Sequence, residues 1–323
     1  MKRRTLFKYT GGMGLAVGMG ATVAQSAQAG APASGKQAPG YYRIRLGDYE
    51  VTALSDGTIG LPMDTLYQGL PPQDVIEHLA QRFQASPVET SVNAYLVNTG
   101  ERLVLIDAGT GTLMGPDLGR LPSNLSAAGH FAEQVDDIIL THIHPDHAGG
   151  LVTNGRMTFP NATVHVNRRE MDFWLAPAGE ARTIETLASL VEEALGSLSP
   201  YIAAGRLQSF EDGASPIAGF STALRAGHTP GHSAVTVERG GDKLVIWGDI
   251  VHGDFLQYDR PEVTVTIDLD PDMACAARAA AFAEAADERY IVAGAHHGFP
   301  GLGQVQRVGT HYAWIPLPYS ANV

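Results

Sequence analysis

Three histidines and an aspartate fall within six positions in the run Thr141-His142-Ile143-His144-Pro145-Asp146-His147-Ala148-Gly149-Gly150. The apolar residues Ile138-Ile139-Leu140 before them read as the end of a buried strand. The Gly-Gly pair after them lets the backbone turn tightly into a helix. Ligand-type side chains crowded onto one strand-to-helix loop can converge on a point. Imidazole nitrogens and carboxylate oxygens are the donors that Zn²⁺ and similar ions prefer. A His-rich solvent loop is the bland alternative, and the full HxHxDH string argues against it.

One loop does not complete a metal site, and the same grammar recurs downstream. The run Thr222-Ala223-Leu224-Arg225-Ala226 leads to His228 and to Thr229-Pro230-Gly231-His232. Leu244-Val245-Ile246-Trp247-Gly248-Asp249 is an apolar strand ending in Gly-Asp, and Tyr290-Ile291-Val292-Ala293-Gly294-Ala295-His296 is one ending in His. Sites in layered α/β proteins gather at strand C-terminal ends, where the following loops meet.

This order of motifs resembles the metallo-β-lactamase superfamily, over about residues 41–318. Leu105-Ile106-Asp107-Ala108-Gly109 looks like that family's first motif, with a structural Asp behind the metals. The resemblance implies a four-layer αββα sandwich and two divalent ions, expected to be Zn²⁺. His142, His144 and His232 would hold one ion; Asp146, His147 and His296 the other; Asp249 would bridge them. A shared hydroxide would then be the nucleophile, with Asp249 and Asp146 as catalytic groups that orient it and carry protons. The family pattern is read as placing the ligand after Pro-Gly, which selects His232 and leaves His228 to pack beside it. Ala-His-x-x-Phe-Pro-Gly selects His296 over His297, and His252 is left open between facing the pocket and packing in a loop.

Within the superfamily the chain is most similar to methyl parathion hydrolase and the aryl-lactonase (dihydrocoumarin hydrolase-like) members. The strings Val245-Ile246-Trp247-Gly248-Asp249-Ile250-Val251-His252, Val263-Thr264-Val265-Thr266-Ile267-Asp268 and Phe299-Pro300-Gly301-Leu302-Gly303 carry that similarity. It implies a hydrolase of lactones and aryl esters, with phosphotriesters as a promiscuous class. Met114 and Val191 align with aromatic side chains of methyl parathion hydrolase and only Trp174 is kept, which favours lactones. The expected substrate wall is Trp174, Met114, Phe173, Leu187 and Val191. A phosphotriesterase proper and a glyoxalase II-like thioester hydrolase are the alternatives, the latter lacking a basic C-terminal cluster for glutathione. A β-lactam hydrolase fits Asp249 and the Asp146-His147 pair poorly. A metal-free binding protein is disfavoured by the complete ligand set.

The N-terminal Lys2-Arg3-Arg4-Thr5-Leu6-Phe7-Lys8 resembles a twin-arginine export signal, followed by a Gly/Ala-rich stretch and Ala27-Gln28-Ala29 as a cleavage site. Residues 1–29 are therefore expected to be a signal peptide, 30–40 a flexible linker and 41–323 the hydrolase domain, exported to the periplasm or secreted. The stretch is too weakly apolar for a membrane anchor. Without the four bases of that segment, 18 Lys and Arg face 34 Asp and Glu, a net charge of −16. No basic patch suits nucleic acid, so a small apolar ester or lactone is the expected partner, with a homodimer left open. The single cysteine, Cys275, excludes an internal disulfide and is expected to be a buried small side chain.

Periodicity predicts strands near 42–47, 50–55, 92–98, 103–107, 137–140, 163–166, 222–226, 234–239, 243–248, 263–267 and 290–294. It predicts helices at 72–84, 117–128, 168–175, 180–198 and 272–287. The 168–200 segment is expected to be an outer-layer helix or a hydrophobic wall over the metals.

Overall fold

Strand alternation divides the apolar residues between two faces. In Val88–Asn98, Ala94 and Leu96 point one way and Tyr95 and Val97 the other; in Leu103–Ile106, Leu105 opposes Val104 and Ile106. A sheet that is apolar on both faces must be covered on both, and the chain covers it twice over. A seven-stranded sheet runs in the order Tyr41–Leu46, Tyr49–Leu61, Val88–Asn98, Leu103–Ile106, Asp137–Ile139, Thr163–Asn167, Leu207–Phe210. A six-stranded sheet runs Phe220–Leu224, Ser233–Arg239, Asp242–Ile246, Ile291–Ala293, Leu302–Val308, His311–Pro316. The inner core, including Val51, Val97, Ile106, Ile139, Val235 and Ile246, fills the space between the sheets. One outer core packs Leu105, Ile138 and Val164 against the helices Leu121–Ala127 and Ala188–Ala203. The other packs Val245, Trp247 and Val292 against Ala281, Phe282 and Ala285 of the helix Pro271–Glu288. The result is the expected four-layer αββα sandwich. The computed structural model describes residue 31 and residues 33–323, so the expected signal peptide lies outside the described residues.

The last helix starts where its residues dictate. The Asp270 side chain accepts the Met273 N–H as N-cap and Pro271 occupies the first turn. Its buried stripe is Ala274, Arg278, Ala281, Phe282 and Ala285, at helical spacing. Arg278 is buried because its guanidinium is spent on the carbonyls of Ile250, Pro261 and Val263. Cys275, expected to be buried, is half-buried beside the Pro261 carbonyl.

Several expectations are corrected. The 180–198 helix opens as two short 3₁₀ turns, Glu180–Thr183 and Glu185–Leu187, and becomes α-helical only over Ala188–Ala203. The break occurs at Ile184, whose backbone is extended. The 263–267 strand shrinks to Thr264–Val265, paired with Tyr67–Gln68. The hairpin Leu302–Val308/His311–Pro316 was not expected, although its turn carries Gly309 at φ 61, a conformation that glycine adopts freely. Among the described residues no helix is long and apolar enough to cross a membrane.

Candidate metal centre

In the seven-stranded sheet the neighbours Leu103–Ile106, Asp137–Ile139 and Thr163–Asn167 are parallel, so their C-terminal ends share one edge of the sandwich. Asp107, the His142–His147 loop and Glu170 follow these ends. In the other sheet Asp242–Ile246 and Ile291–Ala293 are parallel too, and deliver Asp249 and His296. The loops meet in two quartets: His142, His144, His228 and Asp249, all buried, and Asp146, His147, Asp249 and His296, buried except for Asp146, each with its ligand atoms within 4.8 Å of one another.

Asp249 gives one oxygen to each quartet. Its Oδ2 lies 3.2 Å from His228 Nε2 and 3.8 Å from His142 Nε2; its Oδ1 lies 3.0 Å from His147 Nε2 and 3.2 Å from His296 Nε2. Asp146 Oδ2 closes the second quartet at 3.3 Å from His296 Nε2 and 3.5 Å from His147 Nε2. His144 Nδ1 closes the first, 3.0 Å from both His142 Nε2 and His228 Nε2. Buried Asp249 Oδ1 and His147 Nε2 have no hydrogen-bond geometry to any partner despite their closeness. Their lone pairs converge on shared space, which is what a cation requires and a hydrogen bond does not.

The outward ring nitrogens show the same design. His147 Nδ1 is held by Asp107 Oδ2 at 2.8 Å, His228 Nδ1 by Asp268 Oδ1 at 2.9 Å, and His296 Nδ1 by the Ser91 carbonyl at 3.0 Å. His142 Nδ1 sits 3.1 Å from Thr141 Oγ1. Fixing one nitrogen leaves Nε2 as the free ligand atom and sets the ring's angle. Asp107 also accepts the Thr141 N–H, which ties the structural Asp to the root of the histidine loop.

The electrostatics ask for positive charge. Burial disfavours charge on every ring and holds His144 at about 3. Against burial, Asp249 and Asp268 push His228 up to about 9, and Asp249 and Asp146 push His296 up to about 10. Burial also works to raise the Asp249 carboxyl, but His147, His296 and His142 hold it well below the carboxylate range. A divalent ion would displace the ring protons and supply the same charge.

The structure brings together Asp107, His142, His144, Asp146, His147, Asp249 and His296, and turns His296 rather than His297 toward the quartets. It does not bring in His232. That ring accepts the Asp249 backbone N–H at Nε2, 2.9 Å away, and its Nδ1 is 3.1 Å from the Arg225 carbonyl. Both nitrogens are spent supporting the backbone of the bridging aspartate, and His228 takes the place expected for His232. The reason lies in the turn: Thr229-Pro230-Gly231 reverses the chain, so His228 still belongs to the loop leaving Phe220–Leu224, whereas His232 opens Ser233–Arg239.

A cavity of about 490 Å³ opens onto His144, Asp146, Asp249 and His296. Met114 and Leu187 line it, joined by Ile59, Leu61, Leu66, Ile184, Leu190, Thr266, Ile267 and Leu269. Trp174, Phe173 and Val191 do not line it: they lie in the outer core, with Trp174 0% exposed and its Nε1 donating to Glu170. Trp174 meets the centre only by packing edge-on behind the His144 ring. His252 does line the cavity; its ring stacks on His296 at 5.4 Å, with Nε2 3.2 Å from Asp249 Oδ2 but poorly aligned, and neither nitrogen makes a hydrogen bond. A groove of about 440 Å³ elsewhere, lined by Tyr49, Arg102 and Arg239, holds charged groups but no ligand cluster.

Fold and centre together define a metal-dependent hydrolase. The chain belongs to the metallo-beta-lactamase superfamily, whose family model matches residues 87–296. It is similar to the crystal structure of the hydrolase AbOPH of the beta-lactamase superfamily, at 39% identity and a TM-score of 0.84 over 88% of this chain and 100% of that one. It is also similar to AidC, a dizinc quorum-quenching lactonase solved with the product N-hexanoyl-L-homoserine, at 29% identity and a TM-score of 0.79 over 87% and 98% of the two chains. A probable metal-dependent hydrolase from Staphylococcus aureus shares the fold at 21% identity and a TM-score of 0.70, over 86% of this chain and 100% of that one. No curated protein matches the chain.

Proposed function

We propose that this protein hydrolyses uncharged lactones and aryl esters at a two-metal centre, with zinc as the resident ion. The observation that carries the reading is the cavity. Its wall is aliphatic apart from the metal-centre groups, His252, Thr186 and Thr266, and it contains no Lys or Arg among the described residues. Such a wall gives an anionic substrate nothing to pair with, while it desolvates an alkyl or acyl arm favourably. The similarity to AidC, named as a lactonase, points the same way.

Bound divalent ions would supply an activated water and polarise the scissile carbonyl. The chain's own residues do the rest. Asp249 fixes the spacing of the two subsites through its two oxygens. Asp146, the more exposed of the two ligand carboxylates that line the cavity, with a side chain 16% exposed, is placed to accept and return a proton. His252, with both nitrogens free, is the wall group available to hydrogen-bond the substrate or leaving oxygen. Aliphatic groups take the acyl arm and exclude water.

The wall offers no aromatic face besides histidine rings, so the aryl arm of a phosphotriester gains no stacking, worth about 0.5–1.5 kcal/mol per pair. Lactones are therefore the preferred class. Export through the N-terminal segment would place this activity in the periplasm or outside the cell. The test is a panel of lactones, aryl esters and dialkyl aryl phosphotriesters on zinc-loaded protein. Higher kcat/KM for lactones supports the reading; faster phosphotriester turnover replaces it with a phosphotriesterase.

A further inference from the structure

Glu170 is a buried carboxylate beside the site that belongs to neither quartet and, unlike Asp107 and Asp268, holds no histidine ring. Glu170, 0% exposed, ends the short turn Arg168–Glu170 that follows the strand Thr163–Asn167. The turn is anchored by the Asn167 side chain, which accepts the Arg169 N–H. Glu170 Oε2 accepts the Ile143 N–H at 2.9 Å and the Trp174 Nε1–H at 3.0 Å; Oε1 accepts the Gly231 N–H at 2.7 Å. All three partners donate. Burial raises its pKa and these hydrogen bonds oppose the rise.

The partners are informative by position. Ile143 lies between His142 and His144, and Gly231 lies three residues after His228. One carboxylate thus ties together, from different sheets, the two loops that supply all the imidazoles of the first quartet. The close approach is built in: a Cβ at Gly231 would meet Glu170 N at 2.7 Å and its Cγ at 2.9 Å, so only glycine lets the second loop reach the carboxylate. Trp174, on the next turn, holds the same oxygen and packs against His144. The second quartet has a different support, since Asp107 holds His147 and the Ala108 N–H bonds the His147 carbonyl at 2.7 Å.

We infer that Glu170 is a positioning residue that sets the spacing of His142, His144 and His228, and so controls the affinity of the first subsite without setting that of the second. It touches neither substrate nor ion; it acts through two backbone N–H groups. The inference rests on the two-metal reading of the centre.

The test is a zinc titration of metal-free protein against a chromophoric chelator, which reads the two affinities separately and needs no substrate. Glu170→Gln keeps the shape but sets an NH₂ against a backbone donor. It is expected to weaken one affinity by about 10- to 100-fold, the usual cost of losing a ligand's support, and to leave the other unchanged. Asp107→Asn is expected to weaken the other affinity more, because Asp107 holds His147 directly and His142 only through Thr141. Gly231→Ala, which pushes on the same staple from the far side, is expected to reproduce the Glu170→Gln pattern and stands in if Glu170→Gln does not fold. Unchanged affinities in these variants, or equal loss at both subsites, overturn the inference. If the wild type itself takes up fewer than two ions, the two-metal reading fails instead.

Discussion

His228 Nδ1 lies 2.9 Å from Asp268 Oδ1, and this contact holds the ring that the Thr229-Pro230-Gly231 turn leaves on the side of the centre. With that nitrogen held, His228 Nε2 is presented to Asp249 and His144. His232, four residues on, is turned under the Asp249 backbone instead.

His228→Ala is therefore expected to lose about one equivalent of metal and nearly all activity. His232→Ala keeps every ligand atom of the quartets and is expected to retain both ions, with reduced activity from a less firmly held Asp249. Elemental analysis of the two variants checks this. Retention of full metal by His228→Ala, with loss in His232→Ala, would reverse the assignment.

Asp268→Asn offers His228 an amide in place of a carboxylate. Metal affinity at the first subsite is expected to fall by about 10- to 100-fold. Asp268 also accepts the Val265 N–H, beside the wall residues Thr266 and Ile267, so KM for an apolar lactone is expected to rise as well. Zinc titration and steady-state kinetics measure the two effects. An unchanged affinity would mean that the Asp268 contact does not orient His228.

The aliphatic wall predicts a dependence on acyl-chain length. Each methylene of a lactone's acyl arm that enters the cavity buries about 0.8 kcal/mol of apolar surface, up to about fourfold in kcat/KM. The gain is expected to stop once the arm outgrows the cavity, and Leu187→Ala is expected to move that limit to longer arms. A profile flat from the shortest arm would show that the acyl group does not occupy this cavity.

Acid stability should be traceable to a pair far from the centre. Asp137 Oδ1 lies 2.9 Å from His165 Nε2, and Oδ2 lies 2.7 Å from Arg102 Nε. Burial tends to raise this carboxyl, but His165 and Arg102 bring it below its usual 3.8. A carboxyl lowered by folding adds stability above its unfolded value and loses it as pH falls through the lower folded value. Metal-free Asp137→Asn is thus expected to be less stable than metal-free wild type at pH 6, with the gap closing below pH 3.8. Denaturant midpoints at the two ends of that range measure it. A gap that stays constant would exclude Asp137 ionisation as its source.

Much of the fold can be read from the sequence because alternation and strand-end punctuation are local. Ala94 against Tyr95 and Leu105 against Val104 mark two-faced strands, and HxHxDH, Gly-Asp and the final His mark their C-terminal ends. The strand-end rule, applied strictly, selects His228, four residues past Leu224, over His232, which opens the next strand; the Pro-Gly turn obscured it. Glu170 and Asp268 carry no local signal, since a lone acid matters only through what tertiary folding sets beside it. The same holds for Trp174, whose spacing fits a pocket wall and whose place is the core behind His144. The 302–316 hairpin did carry a signal, the alternation around Val305 with Gly309 at the turn.

The most direct measurement is the metal content of purified protein expressed with ample zinc, set beside that of Asp249→Ala. A carboxylate that gives one oxygen to each quartet predicts about two ions per wild-type chain, and the loss of at least one ion together with all hydrolytic activity in the variant. A wild type holding a single ion, or an Asp249→Ala variant that keeps both ions and its activity, would contradict the shared two-metal centre.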